Sequence, residues 1–137
     1  MAAKRILIVD DEVHIRRVVE MKLQGAGYEV RTATNVSSAL ELIQSFLPQL
    51  VISDYRMPGE LNGLDFIRRL RATVGLSEVP VILLTGSVAI TQQLLSSVPD
   101  CTKLVLISKP FSPRRLLQSV QQMLGETLEA ATCNANA

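Results

Sequence analysis

Two cysteines and a single histidine are all that this chain of 137 residues contains, and their scarcity removes several chemistries at once. Cys101 and Cys133 are too few and too far apart for a disulfide framework or a thiolate metal site. A reducing compartment is the natural home for such a chain, and a cytoplasmic location is expected. There is no His/Cys ligand cluster, no glycine-rich phosphate loop and no Ser-His-Asp set. The lone His14, beside Arg16 and Arg17, reads as solvated surface. Net charge is also nearly absent, at +1 from 14 basic and 13 acidic side chains, so the long-range field that draws proteins to nucleic acid or anionic membranes is missing. The basic pairs Arg16-Arg17, Arg68-Arg69 and Arg114-Arg115 fall on three different predicted helices, and neither nucleic acid nor membrane is expected as a partner. Long apolar runs are lacking too. The run at residues 6–9 stops at Asp10-Asp11-Glu12, far short of a signal-peptide core, and nothing approaches the length that spans a bilayer.

What is present is an ordinary globular composition, 47% hydrophobic and 20% charged, too apolar for a disordered chain. The length suits one domain. Short, β-branched, continuously apolar runs recur at residues 6–9, 50–53, 81–85 and 104–108, the signature of parallel strands buried on both faces. Residues 28–33 alternate more and suit an edge strand. Between the runs lie amphipathic stretches with apolar positions three and four apart: Ile15, Val18, Val19, Leu23; then Ala39, Leu42, Ile43, Phe46; then Leu64, Ile67, Leu70. A weaker fourth helix is predicted over 87–98. The fifth has the best start signal, Ser112 as N-cap with Pro113 at the first helical position, ahead of Leu116, Leu117, Val120 and Leu124. Gly25 and Gly27 end the first helix and Pro48 the second. Five βα units imply an α/β, doubly wound parallel sheet with helices on both faces. Residues 125–137 are expected to extend or fray the last helix as a tail after a domain spanning 1–124.

In such a sheet ligands bind at the carboxyl ends of the strands, which selects the residues that can carry chemistry. Asp10 and Asp11 follow the first strand, Asp54 the third, Thr85 ends the fourth and Lys109 follows the fifth. Each alone could be an ordinary loop residue, and Asp11 could simply cap a helix. Their convergence is what counts. Three gathered carboxylates repel one another and need protons or a cation to neutralise them; magnesium fits, because it takes hard oxygen ligands and completes its shell with phosphate. Lys109 adds a point charge suited to a phosphoryl oxygen, and Thr85 a hydroxyl donor. These are the parts of phosphoryl transfer, in which positioning and charge neutralisation dominate. Asp54 stands singly at the end of a central strand and reads as the nucleophile, giving an aspartyl phosphate, whereas the Asp10-Asp11 pair suits an ion.

The stretches Ile6-Leu7-Ile8-Val9-Asp10-Asp11-Glu12, Ser53-Asp54-Tyr55-Arg56-Met57-Pro58-Gly59, Leu84-Thr85-Gly86 and Ser108-Lys109-Pro110-Phe111, in that order and strand context, resemble the receiver domains of two-component response regulators. The resemblance covers about residues 4–124 and is closest in kind to the single-domain chemotaxis form. It implies a flavodoxin-like strand order of 2-1-3-4-5. It implies that Asp54 takes a phosphoryl group from a sensor histidine kinase or phosphotransfer protein and that the chain is no enzyme in the usual sense, promoting only its own Mg2+-dependent phosphorylation and dephosphorylation. By the same carry-over, Asp11 and Asp54 ligate Mg2+ directly, the backbone carbonyl of Arg56 is a third ligand, and Asp10 acts through water. Thr85 and Lys109 grip the phosphoryl oxygens, the Lys109–Pro110 bond is cis, and Arg56 and Ser87 flank the group and tune its lifetime. The output surface would lie on the fourth helix, fifth strand and fifth helix, with Leu106 and Phe111, and would meet a downstream protein effector or, in a phosphorylation-dependent dimer, a second copy.

Three departures from the pattern concern output. Leu106 stands where receivers usually carry an aromatic ring that follows the threonine. Pro99-Asp100-Cys101-Thr102-Lys103 replaces the customary Gly-Ala before the last strand, and the loop Pro58-Gly59-Glu60-Leu61-Asn62-Gly63 is slightly extended. The competing reading is a pseudo-receiver, an unphosphorylated docking module, but such a module would be expected to have lost an acidic residue or the lysine, and this sequence retains all of them. A metal-dependent phosphatase acting on small molecules would need a cap segment for which there is no room. The Met1 start and short tail point to a stand-alone regulator rather than a receiver from a longer regulator or hybrid kinase.

Overall fold

The structure is a computed structural model that describes residues 3–57, 59, 61–95 and 103–125. Five strands, β1 (Arg5–Val9), β2 (Glu29–Ala33), β3 (Leu50–Asp54), β4 (Val81–Thr85) and β5 (Leu104–Ser108), alternate with helices α1 (Val13–Gly25), α2 (Val36–Phe46), α3 (Gly63–Arg71), α4 (Val88–Leu95) and α5 (Pro113–Met123). All strand pairs are parallel, in the order β2-β1-β3-β4-β5, so the α/β, doubly wound, flavodoxin-like sheet expected from the sequence is the one observed. Every residue of β3 and of β4 is buried, as a strand sandwiched between two helical layers must be. The alternating strand β2 lies at one edge, where its residues are buried and exposed in turn.

Alternation within each strand divides the core in two. Leu7, Val9, Val51, Val81, Leu83 and Leu106 face α2 and α3, packing on Ile43, Phe66, Ile67 and Leu70. Ile6, Ile8, Ile52, Ile82, Leu84 and Ile107 face the opposite layer, α1 and α5, and meet Val19, Leu23, Leu116 and Val120. Each fully buried side chain of this size contributes about 1.5–3 kcal/mol relative to exposure, and together they hold the strand ends in register.

Local signals place the helix starts. Asn35 accepts a hydrogen bond from the Ser38 N–H at 2.8 Å. Asn62 and Asp65 form a reciprocal capping box on α3, and Ser112 caps α5 ahead of Pro113. Two boundaries differ from the pattern reading for a visible reason. The Tyr28 N–H is spent on the Leu23 carbonyl, closing the end of α1, so β2 begins only at Glu29. β3 runs on through Asp54, which pairs in register with Leu84. Of the fourth helix expected over 87–98, the described part is Val88–Leu95. Cys101, Cys133, the segment 96–102 and the tail 126–137 lie outside the described residues, as do Pro58 and Glu60; α5 stops at Met123 and Gly125 takes a φ of +76°.

One glycine is required by a close approach. Gly63, the first residue of α3, donates to the Tyr55 carbonyl at 2.8 Å, and a Cβ there would sit 2.7 Å from the Asp54 carbonyl oxygen and 2.9 Å from Tyr55 Cα. Both neighbours are backbone and cannot step aside. Gly63→Ala should lower the unfolding free energy by about 1–3 kcal/mol through overpacking, read as a shifted urea midpoint; an unchanged midpoint would show that α3 can retreat freely.

Candidate functional site

Parallel pairing brings the carboxyl ends of β1, β3, β4 and β5 to one edge, and the polar residues there meet around one ammonium. Lys109 Nζ donates to Asp54 Oδ2 at 2.9 Å and lies 3.7 Å from Glu12 Oε1 and 3.8 Å from Asp10 Oδ2. Its backbone is anchored by a 2.8 Å bond from its N–H to the Thr85 carbonyl, and the Lys109–Pro110 peptide is cis, as the resemblance implied. Burial alone would pull the Lys109 pKa down, but the hydrogen bond to Asp54 and the charges of Asp54, Asp10 and Glu12 together push it up. The lysine therefore stays charged.

Asp10 is held from below. Its N–H donates to the Ala33 carbonyl at 3.1 Å, its own carbonyl accepts from Arg16 Nη1 at 2.9 Å, and its Oδ1 accepts the Glu12 N–H at 2.9 Å. The side chain is wholly buried, and among the described residues Oδ2 has no hydrogen-bond partner. Burial, with the charges of Asp54 and Glu12, raises its pKa to about 6 against the opposing Glu12 N–H and Lys109. Asp54 is nearly buried, and its Oδ1 accepts a long 3.4 Å bond from the Arg56 N–H. Thr85 is buried with its hydroxyl turned toward α4, 2.7 Å from Thr91 Oγ1 and bonded to both backbone groups of Ser87.

Above these residues is an open cleft of about 530 Å³, lined by Asp11, Glu12, Asp54, Arg56, Thr85, Ser87, Thr91 and Lys109 among others. Oxygens of Asp10, Glu12 and Asp54 all lie within 4.8 Å of one another. Three carboxylates thus face one ammonium, with a buried oxygen that has an ion-pair contact but no hydrogen bond. A divalent cation with a preference for hard oxygen ligands matches that donor set.

Sequence reasoning placed Asp10, Asp54, Thr85 and Lys109 at this edge, where they are found. Asp11 is exposed and lines the cleft, but the third carboxylate of the cluster is Glu12. Glu12 ends the acidic run after β1, and only the packing shows that its carboxylate, although exposed, lies 3.7 Å from Lys109 Nζ. Arg56 and Ser87 line the cleft and Phe111 is half-buried at the start of α5. Leu106, expected on the output surface, must be corrected: it is 2% exposed, because both faces of β5 are covered, Leu106 packing in the layer with α2 and α3 and the equally buried Ile107 in the layer with α1 and α5. No partner can touch it directly. Thr91 went unnoticed in the sequence, since a hydroxyl on an amphipathic helix does not distinguish itself there, and Gly63, expected only as the end of an extended loop, opens α3. His14 and the arginines Arg68, Arg69, Arg114 and Arg115 are exposed, and no described helix is long and apolar enough to cross a membrane.

A flavodoxin-like sheet carrying an acidic cluster and a lysine at its carboxyl edge is the architecture of a signalling receiver. The model for the response regulator receiver domain matches residues 6–121, and the chain belongs to that family of two-component systems, whose members use Mg2+. A probable transcriptional regulator, ycf27, of Cyanophora paradoxa is 36% identical over 124 residues, 90% of this chain and 49% of that protein. The phosphate regulon transcriptional regulatory protein PhoB of Pseudomonas aeruginosa is 34% identical over 127 residues, 93% of this chain and 54% of that protein. The chain therefore spans about half the length of these curated relatives. The solved structure of the chemotaxis response regulator CheY4 of Vibrio cholerae superposes with a TM-score of 0.78 at 32% identity, covering 88% of this chain and 98% of that one. The signal receiver domain of a histidine kinase from Syntrophus aciditrophicus gives 0.76 at 27% identity, over 98% of this chain and all of that one.

Burying the Asp10 carboxylate with one oxygen lacking a hydrogen bond has a measurable cost. Asp10→Asn should raise metal-free stability at pH 7.5 by about 1–3 kcal/mol, because a buried charge is replaced by an amide that keeps the Oδ1 acceptor. With a folded pKa of about 6 against 3.8 in the unfolded chain, the wild-type penalty is present above pH 6 and disappears as Asp10 takes up its proton. The gain should therefore shrink as pH falls through 6, and should shrink likewise in excess Mg2+. A gain independent of both pH and Mg2+ would refute the assignment.

Proposed function

We propose that this chain is a phosphoryl-accepting relay in which Asp54 receives the group from the phosphohistidine of a sensor histidine kinase or phosphotransfer protein. The observation that carries this reading is the division of labour between the carboxylates. Asp54 lines the cleft and has Lys109 Nζ at 2.9 Å, whereas Asp10 sits behind it, fully buried and away from the cleft wall. Only Asp54 combines access, support from the end of a central strand and a cation positioned for the incoming oxygens.

In the reaction an Asp54 carboxylate oxygen attacks phosphorus in line, the phosphorus–nitrogen bond of the phosphohistidine breaks, and its electron pair and a proton end on the imidazole. Lys109 shifts its charge-assisted hydrogen bond from the carboxylate to a phosphoryl oxygen, where it is worth more because charge has grown there. Asp10, Glu12 and Asp54 would hold Mg2+, with Asp11 and the Arg56 carbonyl at the same cleft as the further donors that the family pattern names. When bound, the ion neutralises charge on the transferring group. Arg56 and Ser87 stand where they can admit or screen the water that later hydrolyses the acyl phosphate, and so set its lifetime. Output then passes to a protein effector on the face formed by α4, β5 and α5, where Phe111 is a partly accessible apolar side chain. The transcriptional roles in the relatives' names belong to proteins of about twice this length, and the near-zero net charge here favours a protein partner over nucleic acid.

Incubation with Mg2+ and acetyl phosphate should add one phosphoryl group by intact mass, and Asp54→Asn should abolish it. Loss of the charged hydrogen bond in Lys109→Ala should slow formation by about ten- to a hundredfold. A protein that forms neither this adduct nor a beryllium fluoride complex is the docking module instead. Arg56→Ala should change the time course of dephosphorylation; an unchanged lifetime removes Arg56 from that role.

A further inference from the structure

The hydroxyl of Thr85 is fully committed before any phosphoryl group arrives. It lies 2.7 Å from Thr91 Oγ1, 3.2 Å from the Ser87 carbonyl oxygen, and accepts the Ser87 N–H at 3.1 Å. A hydroxyl has one proton and two lone pairs. If Thr85 donates to the Ser87 carbonyl, Thr91 must donate to Thr85, and every valence of Oγ1 is used. Thr85 and Thr91 are 3% and 1% exposed, so water cannot readily replace either partner. Among the described residues no hydrogen bond joins the Thr85 hydroxyl to Asp54, whose oxygens are bonded to Lys109 and the Arg56 N–H.

We propose that Thr91, on the first turns of α4, is a positioning residue: its hydroxyl holds the Thr85 hydroxyl away from the acceptor carboxylate in the resting protein, so that an oxyanion at Asp54 must break the Thr85–Thr91 bond to recruit Thr85. The inference rests on the reading of Asp54 as phosphoryl acceptor for its trigger, but the latch itself exists in the unmodified chain. Three elements share it. Thr85 ends β4, Ser87 lies in the connection, and Thr91 is held in α4 by its own N–H to the Ser87 carbonyl at 3.1 Å. When Thr85 leaves, the Thr91 hydroxyl loses a buried partner and must turn back to the Ser87 carbonyl, four residues before it, which Thr85 has just vacated. That exchange, known to bend helices slightly at Ser and Thr, changes the start of α4 without any movement of Leu106. The latch thus provides a path from the acceptor to the α4 face that an aliphatic residue in β5 does not have to carry.

The test compares Thr91→Val, which keeps the shape and removes the hydroxyl, with Thr91→Ser, which keeps the hydroxyl. In the unmodified protein, side-chain scalar couplings of Thr85 should report one rotamer in the wild type and in Thr91→Ser, and rotamer averaging in Thr91→Val. With Mg2+ present, the beryllium fluoride concentration giving half-saturation should fall by about three- to tenfold in Thr91→Val, the equivalent of one buried hydrogen bond no longer opposing the switch, and stay near wild type in Thr91→Ser. A single Thr85 rotamer in Thr91→Val, or a half-saturation point unchanged there, overturns the latch. If the wild type forms no fluoride complex at all, the phosphoacceptor reading fails, while the rotamer comparison still decides whether Thr91 holds Thr85.

Discussion

Everything at the carboxyl edge of the sheet is arranged around the mutual repulsion of Asp10, Glu12 and Asp54. Carboxylates this close, one of them wholly buried, oppose folding unless something positive stands among them. Lys109 supplies one charge and is fixed by its backbone bond to Thr85, so the end of β5 is tied to the end of β4 by the same residue that steadies Asp54 and Asp10. The excess negative charge is what makes the edge receptive to a divalent cation. A site built in this way is less stable than its scaffold, and the two hydrophobic layers flanking β3 and β4 carry that deficit.

The scaffold and the site differ in how firmly each part is set. Asp54 is in register with Leu84, its neighbour Tyr55 donates to the Leu84 carbonyl at 2.8 Å, and α3 begins in direct contact with its backbone. Thr85, by contrast, is held at its side chain by hydroxyl bonds that can be exchanged one for another. On the proposed reading, chemistry is thus placed on the rigid member of the pair and responsiveness on the exchangeable one. The buried Leu106 fits this division, since an aliphatic side chain filling the core beneath β5 stabilises the sheet and has no polar group to exchange.

Much of this was legible in the residues alone. Continuous apolar runs bounded by Asp10, Asp54, Thr85 and Lys109 announce buried parallel strands and the polar ends that such strands bring together, because strand periodicity and the crossover rule leave few alternatives. Side-chain direction was not legible in the same way. Whether Asp11 or Glu12 turns toward Lys109 depends on how the chain leaves β1 and enters α1, a rotation that no spacing rule resolves. Thr91 is invisible for a related reason: its significance lies in facing Thr85 across a turn, and on a helix whose apolar pattern is weak a threonine reads as surface. Leu106 shows the converse case, where a family position suggested exposure and the helical layers covering both faces of β5 decided burial.

The contact at Gly63 has a consequence for how this sequence can change over time. A residue with any side chain there meets two backbones, so a lineage cannot drift through that position by small steps as it can at Arg56 or Ser87, whose side chains border an open cleft. Variation among descendants should therefore be channelled into the cleft wall, which on the proposed reading alters how long a signal persists, while the mounting of Asp54 stays untouched. The close fit of α3 on β3 leaves the cleft wall free to change and holds the position of Asp54 fixed.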